Sequence, residues 1–528
     1  MDDKNLKTGK KGKSLKELGL KTRNLSLDMT EGCSLRCKYC FADFAAEKRE
    51  NRKLTEDVMK AAIDWLFDDG TSGTTEEVNK EGGLGFEPWG GEPWHNFQML
   101  QKAYEYFEKK SKETGKKIGH IGGTTNAIEF TEERLKWCKD RNITWLISLD
   151  GIKENHDKQR VYADGSGSFD VVDKNVDLYK KVYGFAPQLR MSLHPDYIDN
   201  IYKSYEYVLG KGVKSYFFSP VFEANWTEES FKELEDQIVR LYEKLILDYK
   251  SGFPKVDNKF IDDMIYYILG AQRKGINLDE IEKTGSYDVN LNSLSKGMYL
   301  PKPCGAGTSY FGVTVEGQIF VCHRFNKHGL DPKKIGFDKR YGWLGNVWEG
   351  MHNVDLVNEL KNWDVKDLEH CKYCKLKYYC KGSCYASNYD NTGNIKGYHK
   401  NACKINFALY NAALRIIDLF KKNNMFDYEK NDIIFPQQNF GNSFQGKHGQ
   451  SINSCMCNNA TYYFNGLEQL LSDEKPENVE DLKMQILDGG INVLLDMYQE
   501  VKMNKGNNNK QFNDPKSNNI KKKFNFKL

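Results

Sequence analysis

The chain lacks the features that would tie it to a membrane, to nucleic acid or to an oxidising compartment. No apolar run approaches the roughly 20 residues needed to cross a bilayer. Lys and Arg total 77 against 74 Asp and Glu, a net charge of only +3, so no global basic field argues for nucleic acid. The N-terminal stretch MDDKNLKTGKKGKSLKELGLK is basic but has no apolar core of a secretory signal. A cytoplasmic, reducing location is the default, and under it the 13 cysteines are not a disulfide framework. Their clustering agrees. Three lie near the start, seven fall between Cys304 and Cys403, and Cys138, Cys455 and Cys457 are left over. Ten cysteines in two spaced groups point to metal.

The first group is Cys33, Cys37 and Cys40, a Cys-x3-Cys-x2-Cys run just after an apolar-alternating segment (Leu25, Leu27, Met29). Three soft thiolates on one tight loop can hold three irons of a 4Fe–4S cube and leave the fourth iron without a protein ligand. The plainer alternatives are a three-cysteine zinc loop or unrelated buried thiols.

At 528 residues the chain has room for two or three domains. Between residues 24 and 220, short apolar runs alternate with amphipathic stretches. Strands are expected at Leu25–Met29, Gly83–Trp89, Ile118–Thr124, Thr144–Leu149, Gln188–Leu193 and Ser215–Pro220, and helices at Thr55–Phe67, Phe97–Thr114, Thr131–Arg141 and Phe169–Tyr183. That alternation predicts an α/β fold, a partial (β/α)6 TIM-type barrel whose chemistry sits at the C-terminal ends of its strands. The polar strand ends fit: Gly90-Gly91-Glu92-Pro93 after the second, Thr125-Asn126 after the third, Ser148-Leu149-Asp150-Gly151 after the fourth. Paired glycines let backbone approach a ligand, and Glu92 could accept from an ammonium group. Each could equally be an ordinary turn or a helix cap.

Farther on, helices are expected at Glu228–Lys250 and Phe260–Arg273, with a connecting loop over Lys283–Gly297. A hairpin follows, with Phe311, Val313 and Val315 leading into a Glu316-Gly317-Gln318 turn and Ile319–Cys322 returning. The second cysteine group is Cys304, Cys322, then Cys371-x2-Cys374-x5-Cys380-x3-Cys384, then Cys403. Taken alone, the four-cysteine run also suits a structural zinc ribbon.

Cys33, Cys37 and Cys40, Gly90–Pro93, and SLDG at Ser148–Gly151 with HDKQR at His156–Arg160 together resemble a radical S-adenosylmethionine (SAM) domain. The seven later cysteines, with GNVWEG at Gly345–Gly350, resemble the SPASM extension found C-terminal to such domains, and the two resemblances span roughly residues 22–415. They imply three 4Fe–4S clusters, one binding SAM and two auxiliary. By resemblance Tyr39 packs on the adenine, the glycine-glycine-glutamate turn holds the SAM amino group, Ser148 and Asp150 lie near the ribose, and Asn126 lies near the sulfonium. Bound SAM is cleaved to methionine and a 5′-deoxyadenosyl radical that abstracts a hydrogen atom. The pattern also implies an outer cluster on Cys371, Cys374, Cys380 and Cys403, and an inner one on Cys304, Cys322 and Cys384. Twelve positions on three cubes against ten motif cysteines leave two irons open, unless Cys138, Cys455 or Cys457 closes one.

The resemblance is to maturases of ribosomally made peptides that form thioethers, and more distantly to anaerobic sulfatase maturases. The latter carry aspartate as a base where this chain has His323, a departure that counts against sulfatase activation. No catalytic base is assigned. Carbon–carbon crosslinking, epimerisation and sulfatase maturation are the alternatives on the same scaffold; a zinc-ribbon binding protein is the alternative without chemistry. The implied partners are a precursor peptide, a low-potential electron donor and a separate leader-binding protein or the C-terminal extension in its place, because only some 24 residues precede the barrel; neither nucleic acid nor membrane is among them. The expected organisation is a flexible segment over 1–23, the barrel over 24–222, a helical bridge over 223–300, a small cysteine-rich SPASM domain with hairpin and helices over 301–420, a partly helical extension over 421–503, and an Asn/Lys-rich disordered tail over 504–528.

Overall fold

The computed structural model describes residues 8–42, 52–213, 215–251, 258–284, 302–326 and 340–434, all within the unit Met1–Leu467. The expected loop residues 285–297, the helix over Val479–Met503, Cys455, Cys457 and the Asn/Lys-rich tail lie outside the described residues.

Six strands run parallel in chain order: β1 (Asn24–Thr30), β2 (Leu84–Gly90), β3 (Ile118–Thr125), β4 (Thr144–Ser148), β5 (Gln188–Leu193) and β6 (Tyr216–Pro220). The helices Glu56–Phe67, Phe97–Thr114, Glu132–Lys139, Phe169–Tyr183 and Ile201–Gly210 fall between them. β1 shows why the strands form. Leu25, Leu27 and Met29 alternate with Ser26, Asp28 and Thr30, and all six are fully buried, as in a strand covered on both faces. On β2, Phe86 packs on Phe107 of the helix Phe97–Thr114, whereas Glu87, on the opposite face, accepts from Asn24 Nδ2 at 2.9 Å and from the Tyr310 hydroxyl at 2.9 Å. The layer toward the helices is apolar. The other face carries the polar groups, and that asymmetry sets where the chemistry can lie.

The expected hairpin forms, but it does not stand apart from the barrel. Its first strand β7 (Gly312–Val313) pairs parallel with β1, Ser26 opposite Gly312 and Leu27 opposite Val313. β8 (Gln318–Phe320), β9 (Trp343–Asn346) and β10 (Gly350–Met351) follow antiparallel, so one ten-stranded sheet runs β10-β9-β8-β7-β1-β2-β3-β4-β5-β6. A partial barrel leaves its first strand with an open edge, and β7 satisfies that edge's backbone groups. The turn is as expected, with Gly317 at φ +75° and its N–H donating to Thr314 O at 2.9 Å.

Residues 8–23 depart from the expected flexible start. Lys13 bridges Met351 in antiparallel fashion, Gly12 N donates to Glu349 O at 2.9 Å, and Leu15 is fully buried. The basic composition hid an edge segment that covers β10. The helix Leu278–Thr284 also takes in Lys283, which was expected to open a loop.

After β6, the helix Glu228–Lys250 begins at a reciprocal cap: Ser230 N donates to Thr227 Oγ1 at 3.2 Å and Thr227 N to Ser230 Oγ at 2.9 Å. Helix Lys400–Lys422 lies against it, with Arg415 Nη1 2.7 Å from Glu235 Oε1.

A buried ion cluster clamps the hairpin to the loop after β1. Arg52 grips Glu31 in bidentate fashion, Nε to Oε2 at 2.8 Å and Nη2 to Oε1 at 2.5 Å, and its Nη1 pairs with Glu316 in the hairpin turn. Both carboxylates are at least nine-tenths buried. Removing one partner of such a set strands the others in a low dielectric. Arg52→Met is expected to lower stability by about 3–5 kcal/mol in denaturant unfolding, with the midpoint moving and the slope unchanged.

Candidate functional site

The C-terminal ends of the parallel strands converge on the first cysteine loop, and backbone does most of the gathering. Gly91 N donates to Thr30 O at 2.8 Å and Glu92 N to Gly32 O at 2.7 Å, which lays the Gly-Gly-Glu turn along the entry to the loop. A Cβ on Gly90 would stand 2.1 Å from Thr30 O, and one on Gly91 2.1 Å from Gly32 O. Gly90 also sits at φ +116°. Both glycines are needed for the approach of two chains, before any ligand is considered.

On its other side the loop is braced by the HDKQR segment: Lys38 N donates to Gln159 O at 3.0 Å, Arg36 N to Val161 O at 2.7 Å, and Leu35 bridges Tyr162. His156 is part of the brace. Its Nδ1 accepts from Asp150 N at 3.3 Å and its Nε2 lies 2.9 Å from Ser168 Oγ, whose proton goes to Arg160 O at 2.7 Å. Burial pushes this imidazole down to about 4, so it is neutral, with its proton on Nε2.

Glu92 is almost wholly buried and faces the loop. It accepts from Thr125 Oγ1 and Asn126 N, each at 2.7 Å, and from Trp94 N at 3.2 Å. Burial outweighs those donors and lifts its carboxyl to about 7. Asn126 extends Nδ2 to 3.6 Å from Cys33 Sγ and 3.4 Å from Ser34 Oγ. Ser148 ends β4, 7 % exposed.

Asp150 is the hub. Its Oδ2 accepts from the Tyr39 hydroxyl at 2.5 Å and from Arg160 Nε at 2.9 Å; its Oδ1 accepts from Ser192 N at 2.8 Å and Arg160 Nη2 at 3.3 Å. A carboxylate offers about four acceptor sites, and these are taken. Asp150 thereby positions Tyr39 and Arg160, whose guanidinium lies 5.3 Å from the Tyr39 ring centre.

The ten motif thiols fall into three sets by mutual electrostatics. Cys33 is pushed up well above the usual thiol range by burial, then by Glu92, Cys37 and Cys40. Cys322 is raised by burial and by Cys384 and Cys304. Burial with Cys374 and Cys403 lifts Cys371 to about 12, and Cys380 is raised by burial and by Cys403, Cys371 and Cys374. Cys138 joins none of them. It is fully buried beside Trp145 and Tyr179, the packed thiol its helical position suggested. Among the described residues no three His, Cys, Asp or Glu side chains converge tightly enough to share a single metal ion. Soft thiols in sets of three, three and four suit iron–sulfur clusters.

His323, next to Cys322, packs at a tilt on Trp89 at 4.1 Å between ring centres, and its Nδ1 lies 2.8 Å from the Tyr310 hydroxyl, itself bound to Glu87. Trp89, Tyr310, Glu87 and Arg324 were not picked out from the sequence. Their partners stand as much as 223 residues away, and no local spacing marks such pairs.

Residues 27–208 match the radical SAM superfamily model. The chain is 25% identical over 379 residues to the cysteine-type anaerobic sulfatase-maturating enzyme of Clostridium novyi, covering 67% of this chain and 85% of that one. It is 21% identical over 429 residues to the radical SAM cyclopropyl synthase TigE of Paramaledivibacter caminithermalis, covering 78% and 77%. The solved structure of anSMEcpe with bound AdoMet superposes with a TM-score of 0.55 at 20% identity, over 75% of this chain and 98% of that one, and so shares the fold. No described helix is long and apolar enough to cross a membrane. With a parallel sheet whose strand ends carry the three-cysteine loop, residues 27–208 form a radical SAM domain, and the chain is an enzyme of the kind that works with a 4Fe–4S cluster and SAM.

Proposed function

We propose that this enzyme is a peptide maturase that installs crosslinks, thioethers above all, in a ribosomally made precursor, and that it carries three 4Fe–4S clusters. The grouping of the ten motif thiols into sets of three, three and four is the observation that carries the reading. Cys33, Cys37 and Cys40 hold the SAM-binding cluster. Cys304, Cys322 and Cys384 hold an inner auxiliary cluster one ligand short, and Cys371, Cys374, Cys380 and Cys403 hold an outer one. When bound, SAM and its cluster supply a 5′-deoxyadenosyl radical that abstracts hydrogen. The chain's own residues bind and orient: Glu92 takes the ammonium of SAM, the backbone of Gly90 and Gly91 lines its methionine end, Asn126 and Ser148 offer polar contacts, and Tyr39, held by Asp150, presents its ring to the adenine. An inner set with an open position can receive a substrate thiolate.

Relatives support a peptide substrate, since anSMEcpe has been solved with AdoMet and a Kp18Cys peptide, a structure that matches this chain with a TM-score of 0.54. Sulfatase maturation is the second reading, favoured by the C. novyi relative. His323 speaks against it. An imidazole packed on Trp89 and tied to Tyr310 stands where those maturases carry an aspartate. The precursor is engaged with the help of a leader-binding protein or the C-terminal extension, and a low-potential donor supplies electrons.

Three outcomes are expected. Reconstituted wild type should hold about twelve irons, and replacing Cys304, Cys322 and Cys384 by Ala should remove about four while SAM still changes the spectrum of the remaining SAM-binding cluster. Anaerobic co-expression with a cysteine-bearing peptide encoded nearby should yield, by mass spectrometry, a product lighter by two hydrogens whose thiol no longer alkylates. A modified peptide with its thiol still free would exclude the thioether. SAM affinity should fall as pH drops through about 7, because Glu92 is then protonated and must lose its proton to pair with the ammonium. Glu92→Gln should weaken SAM binding about 10- to 100-fold and flatten that pH dependence in calorimetric titration.

A further inference from the structure

Arg324 occupies the place where the inner thiol set, the outer end of the barrel and the first cysteine loop meet. Its Nη2 donates to Glu223 Oε1 at 2.7 Å and its Nη1 to Ser387 Oγ at 2.8 Å, while the Ser387 hydroxyl donates to the same Glu223 oxygen at 3.0 Å. Nη1 also lies 3.9 Å from Cys384 Sγ. The guanidinium carbon stands 4.8 Å from the ring centre of Phe41, the residue after Cys40. The four contacts tie the exit of the hairpin, which carries Arg324, to three other segments: the loop after β1, the loop after β6, and the helix Tyr385–Thr392 with Cys384 at its N-terminus. The arginine side chain is 16% exposed and Ser387 is fully buried.

These contacts hold the guanidinium against Cys384, while Glu223 meets it from the surface with its side chain 39% exposed. Burial raises the Glu223 carboxyl, but Arg324 and Ser387 outweigh it and hold that group below its usual range, so the pair is charged on both sides. A second cation near the inner set, Lys302 beside Cys304, donates to the backbone carbonyls of Leu360 and Lys361, and among the described residues no ion pair to a carboxylate holds it. At the outer set the corresponding sulfur contact is neutral: Asn406 Nδ2 lies 3.5 Å from Cys380 Sγ. Charge and hydrogen bonds at ligand sulfurs are what a protein uses to shift a cluster's reduction potential.

We propose that Arg324 and Glu223 act as an opposed pair of positioning residues that set the redox poise of the group held by Cys304, Cys322 and Cys384. This rests on the auxiliary-cluster reading of those thiols. The guanidinium favours the extra negative charge that the set carries after one-electron reduction, Glu223 cancels part of that effect, and Ser387 with Phe41 keeps the guanidinium against Cys384. Arg324→Gln shifts the inner cluster to a lower midpoint potential. Glu223→Gln, which leaves the arginine uncompensated, shifts it higher. Arg324→Lys restores part of the loss.

The experiment is an anaerobic dithionite titration of the full-length reconstituted chain followed by electron paramagnetic resonance, with the SAM-binding cluster identified by its change on adding SAM. Opposite shifts of one auxiliary signal in the two glutamine variants, with the SAM-responsive signal unmoved, are expected. Shifts of the same sign, no shift in either variant, or movement confined to the SAM-responsive signal would overturn the proposal. If Arg324→Gln fails to retain iron, Glu223→Gln decides alone, since only a positive shift supports the pair. A wild type showing nothing beyond the SAM-responsive signal would remove the auxiliary-cluster reading itself, and this inference with it.

Discussion

Two stretches of backbone, Thr30–Gly32 and Gly90–Glu92, lie so close that neither glycine of the second can carry a side chain. The rest of the site depends on that contact. It fixes the cysteine loop to the end of β2, turns Glu92 toward Cys33, and lets Thr125 and Asn126 from the end of β3 reach the same carboxylate. A methyl group at either position would push the two chains apart and scatter side chains drawn from three strands. Strand ends of a parallel sheet are the usual place for a site, but here they become one through backbone approach.

Around this contact the protein uses buried charge as framing. Asp150 collects Tyr39, Arg160 and Ser192; Arg52 joins Glu31 to Glu316; Arg324 joins Glu223 to Ser387. Each set links segments distant in sequence, and each would be costly to leave half-made. A fold in which loops must hold thiols in place against radical chemistry gains rigidity from such sets. Their cost is one reason for the exclusion of water that the site also requires.

The elements were legible where periodicity was strong. The six strands and the helices Phe97–Thr114, Phe169–Tyr183 and Glu228–Lys250 follow from alternation and from apolar positions at helical spacing. The cysteine sets were legible because thiol spacing is itself a chemical signature. Residues 8–23 were not, because a lysine-rich segment that pairs through its backbone leaves no side-chain pattern to read. Nor was the fusion of hairpin and barrel into one sheet, since strands as short as Gly312–Val313 carry no period. Asp150 was found, but its partners were not: a lone aspartate after a strand says nothing about how many donors will meet it.

By itself, the amino-acid order determined the chemistry available: three thiols on one loop, seven more behind it, a glycine pair with a glutamate, and alternating patterns that demand a parallel sheet. These are local properties, set by side-chain type and spacing. The tertiary structure alone decided that the glycines serve the approach of two chains, that Asp150 positions Tyr39 and Arg160, and that Arg324 stands between Phe41 and Cys384. Those facts depend on groups brought together from up to hundreds of residues apart, where burial and proximity, rather than composition, set the charge of each.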